Sequence, residues 1–102
     1  MSFQEKVWAV CTRVPAGRVT TYAAIAHAMK SRSYRAVGQA LRRNPLAPVV
    51  PCHRVVAVSG ALTGFAKGLA EKRRLLEAEG IIFRGPRVDM TRHFFDPATD
   101  AT

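Results

Sequence analysis

What most limits how this chain can fold is a run of three short apolar stripes at helical spacing, each closed by residues that cannot extend a helix. Phe3, Val7, Val10, Cys11 and Val14 recur at intervals of three and four with Trp8 beside them, and Pro15 with Gly17 ends the segment. Val19 then leads to Thr20 and Thr21, either of which can cap a second helix whose apolar positions are Tyr22, Ile25, Ala26 and Met29. After a polar break at residues 30–33, the spacing predicts a third helix over 34–43. Val37, Ala40 and Leu41 form its inner face, Arg35, Gln39, Arg42 and Arg43 are left outside, and Asn44-Pro45 stops it. Two short amphipathic helices joined by a polar turn make a helix-turn-helix pattern, although many helical domains contain such a pair without touching DNA.

Beyond this trio the pattern changes period. Residues 46–58 are apolar and β-branched around Pro51-Cys52-His53-Arg54, Ser59-Gly60 reads as a turn, and residues 61–65 read as the return strand of a small hairpin or wing. Residues 69–79 form a last helix in which Leu69, Lys72, Leu75, Leu76 and Glu79 share a face, with Gly80 as its stop signal. The expected fold is therefore mainly α, a small winged helix-turn-helix-like domain with a short β-hairpin. It occupies residues 1–95 as one domain, and the small polar residues from Asp96 onward read as a disordered tail. A chain of 102 residues has room for one core and one site.

Charge is distributed unevenly. Residues 1–70 carry ten Lys and Arg against the single acid Glu5, whereas residues 71–102 carry six of each sign, so the whole formal charge of +9 belongs to the first segment. Arginine dominates that surplus, and its planar fork suits phosphate and base edges. Such a domain calls for a polyanion, nucleic acid first, as partner. No stretch approaches the roughly 20 apolar residues of a membrane span, and Gln4, Glu5 and Lys6 interrupt any signal-peptide core. A cytoplasmic chain without membrane association is expected, its two thiols, Cys11 and Cys52, reduced and far apart in sequence. Neither cysteine has a second ligand at zinc spacing apart from the adjacent His53, so no metal site is expected.

The run Cys52-His53-Arg54 interrupts an otherwise apolar strand, which is costly unless its polar groups are satisfied or used. Basic neighbours favour the thiolate, the nucleophilic form of cysteine. Yet a buried cysteine is commonly inert packing, and adjacent strand residues point to opposite faces. Residue chemistry alone leaves both readings of Cys52 open. Glu79, on the inner face of the last helix, needs a partner if it is buried, and His53 would provide one.

Several of these segments together carry a resemblance: Val19-Thr20-Thr21-Tyr22 with Ile25-Ala26, Arg35-Ala36-Val37-Gly38 with Ala40 and Asn44-Pro45, Pro51-Cys52-His53-Arg54-Val55-Val56, Ser59-Gly60, and Leu75-Leu76 with Glu79-Gly80. Over about residues 3–95 the chain resembles the C-terminal domain of the O6-alkylguanine-DNA alkyltransferases, the methylated-DNA–protein-cysteine methyltransferases. The resemblance implies a helix-turn-helix that enters the minor groove of double-stranded DNA and rotates an O6-alkylguanine out of the stack, since the alkylated oxygen is unreachable inside the duplex. It implies that Cys52 accepts the alkyl group irreversibly, activated through His53 and water by Glu79, with Asn44 as the hinge residue between the third helix and the active-site turn. Arg35 matches an arginine finger that fills the gap left by the flipped base, and Tyr22 matches a tyrosine that helps rotate the backbone and contacts the purine. Val55 matches a residue whose carbonyl receives the guanine amino group. Phe65 and Ala66 complete the expected pocket, and Thr21, Arg42, Arg43 and Arg54 the expected DNA surface, with Arg18 and Arg32 as further phosphate contacts.

Two departures qualify that likeness. Phe65-Ala66-Lys67-Gly68 stands where relatives commonly carry Tyr, then Ser or Ala, then two glycines, so a hydroxyl donor near the alkylated oxygen is lost. The usual N-terminal domain, with the zinc site some relatives hold there, has no expected counterpart, because Phe3 already begins the C-terminal domain. The alternative is an alkyltransferase-like lesion sensor, which binds O6-alkylguanine without repairing it and recruits nucleotide excision repair proteins. Those proteins typically replace the acceptor cysteine, which this chain keeps. Neither reading calls for a cofactor, both expect a monomer associated with the nucleoid through DNA, and neither gives His27 or His93 a role beyond the surface or the core.

Overall fold

A computed structural model describes residues 1–45, 49–65 and 67–100. The elements run α1 (Phe3–Thr12), β1 (Thr20–Thr21), α2 (Tyr22–Ala28), α3 (Tyr34–Arg42), a 3-10 turn (Cys52–Arg54), β2 (Val55–Val56), α4 (Leu69–Ala78), β3 (Phe83–Arg84), β4 (Arg87–Val88) and α5 (Met90–His93). Helix α1 starts in a capping box: Glu5 N–H donates to Ser2 Oγ at 3.1 Å, and Ser2 N–H donates to Glu5 Oε1 at 2.9 Å. Of the two threonines able to cap α2, Thr21 does so, its Oγ1 accepting from Ala24 N–H at 3.0 Å.

The inner faces of α1, α2 and α3 bury Val7, Cys11, Ile25, Ala26, Val37, Ala40 and Leu41 as one cluster that also contains Val50 and Val55. Trp8 closes its edge, its indole N–H donating to Ala40 O at 2.8 Å and so tying α1 to the end of α3. A second cluster of Val19, Val56, Leu76, Ile81 and Val88 lies under α4 and the C-terminal segment. Strands β1 and β2 pair in parallel, Thr20 opposite Val55 and Thr21 opposite Val56. Because successive strand side chains point to opposite faces, Val55 enters the first cluster and Val56 the second. This two-residue pairing locks the start of the helix-turn-helix to the segment that carries Cys52.

The expected hairpin, with residues 46–58 as one arm and 61–65 as the return, is not formed among the described residues. The chain does reverse at Ser59-Gly60, with Gly60 N–H donating to Ala57 O at 2.8 Å and Ala57 N–H to Ala61 O at 3.0 Å. Its outgoing arm leaves that reversal to meet β4, where Val88 N–H donates to Gly60 O at 2.9 Å and Ala61 bridges Arg87. The antiparallel hairpin is β3–β4, turning at Gly85, which takes a φ of 62°. Strands of two residues present too little alternation for periodicity to find them. Residues 96–100, expected to be disordered, form a turn in which Asp100 N–H donates to Asp96 O at 2.7 Å and Asp96 N–H to Asp100 Oδ2 at 2.7 Å. Arg18 fastens this end, donating to His93 O at 3.2 Å and Phe94 O at 2.6 Å and lying over the Phe95 ring.

Gly60 is required by two independent constraints: a φ of 89°, and a position at which a Cβ would lie 2.5 Å from Val88 O. Replacing it with alanine is expected to destabilise the domain by roughly 2–4 kcal/mol, read as a lower urea midpoint at unchanged slope.

Candidate active site and nucleic-acid interface

The segment around Cys52 is a tight 3-10 turn rather than the strand expected from its apolar flanks. Cys52 N–H donates to Val50 O at 2.8 Å and Arg54 N–H to Pro51 O at 2.9 Å. The turn closes when the N–H of Val55, which begins β2, donates back to Cys52 O. Asn44 ties the end of α3 to this turn, its Nδ2 donating to Val50 O at 2.8 Å. Cys52 is partly exposed at the edge of the first cluster, whereas Cys11 is fully enclosed within it. Burial pushes the Cys11 thiol up to about 12, with the neighbouring Cys52 adding to the shift, so Cys11 is a small core hydrophobe and no competing nucleophile.

Glu79 joins the turn to α4. It is the residue on which α4 ends, and Gly80, at φ 89°, turns the chain away after it. Its Oε2 lies 3.0 Å from His53 Nε2 and accepts from Arg54 Nη2 at 2.6 Å, while its Oε1 accepts from Arg54 Nε at 2.9 Å. Arg54 is itself anchored, Nη1 donating to Val14 O at 2.8 Å. Burial alone would raise the Glu79 carboxyl, but the hydrogen bonds from Arg54 and His53 outweigh it and hold the group below the usual carboxylate range. An ionised Glu79 can only accept, so the 3.0 Å hydrogen bond is donated by Nε2 of His53, a side chain 4% exposed.

A second group of side chains, drawn from α2, α4 and the segment at Thr63, lies within electrostatic reach of Cys52. Tyr22, at the start of α2, has its hydroxyl 3.1 Å from Thr63 Oγ1 and 3.5 Å from Thr63 O, and burial raises its pKa. Lys72, on the inner face of α4 and 1% exposed, donates from Nζ to Thr63 O at 2.8 Å and lies 6.0 Å from the centre of the Phe65 ring. Burial lowers its pKa to about 8 against the opposing influence of Cys52 and Cys11. Neither Lys72 nor Thr63 was among the expected site residues. The signal was a lysine on the apolar stripe of the last helix, among leucines, where a surface lysine would sit on the opposite face.

An open groove of about 540 Å³ runs beside this group, lined by Tyr22, Tyr34, Arg35, Gly38, Gln39, Arg42, Thr63 and Gly64. Arg35 stands exposed in the first turn of α3, Arg42 and Arg43 are exposed at its end, and among the described residues none of the three makes an ion pair. Three residues expected at a DNA surface are placed otherwise. Arg54 is turned inward onto Glu79, Thr21 is 5% exposed with its hydroxyl used as a helix cap, and Arg18 is spent on the C-terminal segment. Charge counting could not distinguish Arg54 and Arg18 from free cations, because their partners are carbonyls and carboxylates distant in sequence. Arg32 lines a separate basic pocket with Arg13 and Lys30. Ala66 lies outside the described residues. His27 is exposed, and His93 is buried with both ring nitrogens used, Nε2 accepting from Ile82 N–H at 2.9 Å and Nδ1 3.0 Å from Gly17 O.

Fold and site together define a basic helix-turn-helix domain with a partly exposed cysteine beside a His–Glu–Arg network. The chain belongs to the family described as "6-O-methylguanine DNA methyltransferase, DNA binding domain", whose model matches residues 2–81. Among curated relatives, a methylated-DNA–protein-cysteine methyltransferase of Methanosarcina mazei is 47% identical over 78 residues, 76% of this chain and 49% of that protein. The chain spans about half the length of the curated relatives it matches. Among solved structures, Mycobacterium tuberculosis OGT in complex with DNA is similar at 43% identity and a TM-score of 0.76, covering 78% of this chain and 49% of that one. Schizosaccharomyces pombe Atl1, in complex with damaged DNA containing O6-carboxymethylguanine, is similar at 27% identity and a TM-score of 0.77, covering 91% of this chain and 94% of that one.

Lys72 makes the site costly to fold. Between about pH 8 and 10.5 the unfolded chain binds this proton more tightly than the folded one, so the cost is complete below pH 8 and fades as pH rises toward 10.5. Lys72→Met is therefore expected to stabilise the domain at pH 7 by on the order of 1–2 kcal/mol, and the gap in melting temperature between variant and parent should close from pH 8 to pH 10.

Proposed function

We propose that this domain draws O6-alkylguanine out of double-stranded DNA and transfers the alkyl group to Cys52, once per molecule. The observation that carries the reading is a partly exposed cysteine followed directly by a histidine whose Nε2 lies 3.0 Å from a carboxylate that Arg54 grips with two donors; with Nε2 so engaged, Nδ1 is the nitrogen proposed as the base. His53 takes the Cys52 proton, directly or through one water. The thiolate attacks the alkyl carbon, the Sγ–C bond forms as the C–O6 bond breaks, and the electron pair goes to the guanine, which takes up one proton. The proton removed from the thiol equals the one the guanine needs, so no cofactor enters the balance. Lys72 sets a cation beside the developing thiolate, and its position near Phe65 places a donor on the side where relatives commonly carry a hydroxyl. The thioether has no path back, and the protein is consumed.

DNA is held by the outer face of α3. Arg42 and Arg43 at its end are proposed as phosphate contacts, joined by Arg32, while Arg35 in its first turn fills the gap left in the stack and Tyr22, across the groove, meets the flipped base. Asn44 and Val55 keep their proposed parts, the first fixing the turn to α3 and the second offering a backbone carbonyl to the guanine amino group. Residues 1–95 act as one unit, as a monomer on DNA, in a reducing cytoplasm that keeps Cys52 a thiol.

Intact-protein mass spectrometry after incubation with excess duplex containing O6-methylguanine tests the transfer. The expected result is a stoichiometric gain of one methyl group, absent from Cys52→Ala. No mass change together with selective binding of the modified duplex would make the domain a lesion sensor that recruits nucleotide excision repair proteins. Arg35→Ala is expected to weaken binding to the lesion duplex at least tenfold more than to undamaged DNA, whereas Arg43→Ala should weaken both alike and reduce the salt slope by about one. Equal loss on both duplexes for Arg35→Ala would remove its assignment to the stack.

A further inference from the structure

Glu79 ends α4, where the unpaired carbonyls and the helix dipole disfavour a negative charge. Left with His53 as its one partner there, the carboxyl could hold the shared proton itself. It would then donate to Nε2 and force the imidazole proton onto Nδ1, the nitrogen that must be free to take a proton from Cys52. Arg54 opposes that arrangement by geometry. Its Nε and Nη2 occupy Oε1 and Oε2 at 2.9 and 2.6 Å, both as donors, and its third contact, Nη1 to Val14 O at 2.8 Å, fixes the guanidinium to the main chain. The side chain is only 18% exposed, so all three contacts are made away from bulk water.

We propose that Arg54 is a positioning residue that sets the proton pattern of the relay, keeping Glu79 a carboxylate so that His53 holds its proton on Nε2 and leaves Nδ1 as the base for Cys52. The inference rests on Cys52 and His53 acting as proposed above and deepens that reading. It also explains why an arginine in the middle of a basic segment is turned away from the DNA side. Besides Arg54 and His53, no charged group acts on Glu79 among the described residues; the titratable groups that Cys52 influences on neighbouring elements are Lys72 of α4, Cys11 of α1 and Tyr22 of α2.

The test is the rate at which iodoacetamide alkylates Cys52, followed by intact mass from pH 4 to pH 9 in the parent protein, Arg54→Ala, Arg54→Lys and Glu79→Gln, with Cys52→Ala to fix the site of labelling. Iodoacetamide reads the thiolate, which forms as the Cys52 proton passes to His53, so the acidic limb of the profile reports that transfer, which Glu79 favours only as a carboxylate. In Arg54→Ala that limb is expected to move up by about one pH unit, in Arg54→Lys, which keeps the charge, to stay near its parental position, and in Glu79→Gln, which cannot carry the charge, to move up as in Arg54→Ala. Nitrogen NMR at pH 7 should place the His53 proton on Nε2 in the parent and show Nδ1–H appearing in Arg54→Ala. If the alanine variant does not fold, Arg54→Gln, which can still donate to Val14 O without charge, replaces it. Superimposable profiles for parent and Arg54→Ala, or an equal shift in Arg54→Lys, would overturn the proposal and leave Arg54 a packing residue. The readout involves no DNA: a shift in Arg54→Ala together with a parent protein that takes no methyl group from O6-methylguanine duplex would overturn the transfer reading alone.

Discussion

One carboxylate holds the working parts of this molecule together. Glu79 receives His53 from the active-site turn and both prongs of Arg54 from the same turn, and Arg54 in turn reaches the loop after α1 through Val14 O. A half-buried carboxylate at the end of a helix is unfavourable by itself, since burial and the helix dipole both oppose its charge. It is tolerable because the planar guanidinium satisfies two lone pairs at once and the imidazole a third. The same arrangement makes the site fragile: without Arg54 or without Glu79, the other is left a half-buried charge short of its main partner, and the turn loses much of its tie to α4.

Around that junction the fold is arranged to place one cysteine against two surfaces. The parallel pair of β1 and β2 sends Val55 into the core of α1, α2 and α3 and Val56 into the core under α4. The turn bearing Cys52 immediately precedes that pair, and Asn44 binds the end of α3 to it. A displacement of α3 therefore reaches the nucleophile through two short connections. Lys72 shows the accompanying tension. Its burial opposes folding at neutral pH, and it stands beside Cys52 and Thr63 where an apolar side chain would pack without cost. Residues kept against stability in this way are commonly functional.

The formal charge of the first segment overstates the free positive surface. Arg54 and Arg18 spend their donors inside the protein, one on Glu79 and one on the C-terminal segment. Arg35, Arg42 and Arg43 remain on the outer face of α3, with Arg13, Lys30 and Arg32 in a pocket at the turn before it. A positive field confined to one helix and its approach orients a polyanion more effectively than the same charge spread over the surface.

The sequence by itself determined the helices, their faces and the family to which the chain belongs. Apolar spacing with cap and stop residues placed α1, α2, α3 and α4 to within a residue or two, because those signals act within a few positions of one another. The Pro51-Cys52-His53-Arg54 run and its flanks carried the family resemblance, because a dense local motif needs no knowledge of distant contacts. Tertiary structure alone decided the rest. It replaced the expected hairpin with a parallel pairing of two two-residue strands, made a 3-10 turn of an apparent strand, and ordered the C-terminal turn against Arg18. It also turned Arg54 from a presumed DNA contact into the partner of Glu79, and set Lys72 against Thr63. Apart from the 3-10 turn, whose hydrogen bonds close within three residues, each of these depends on groups between 9 and 76 residues apart meeting in space. Such pairings leave no period and no neighbour in the sequence, because their energy comes from desolvation and hydrogen-bond geometry that exist only once the chain has closed.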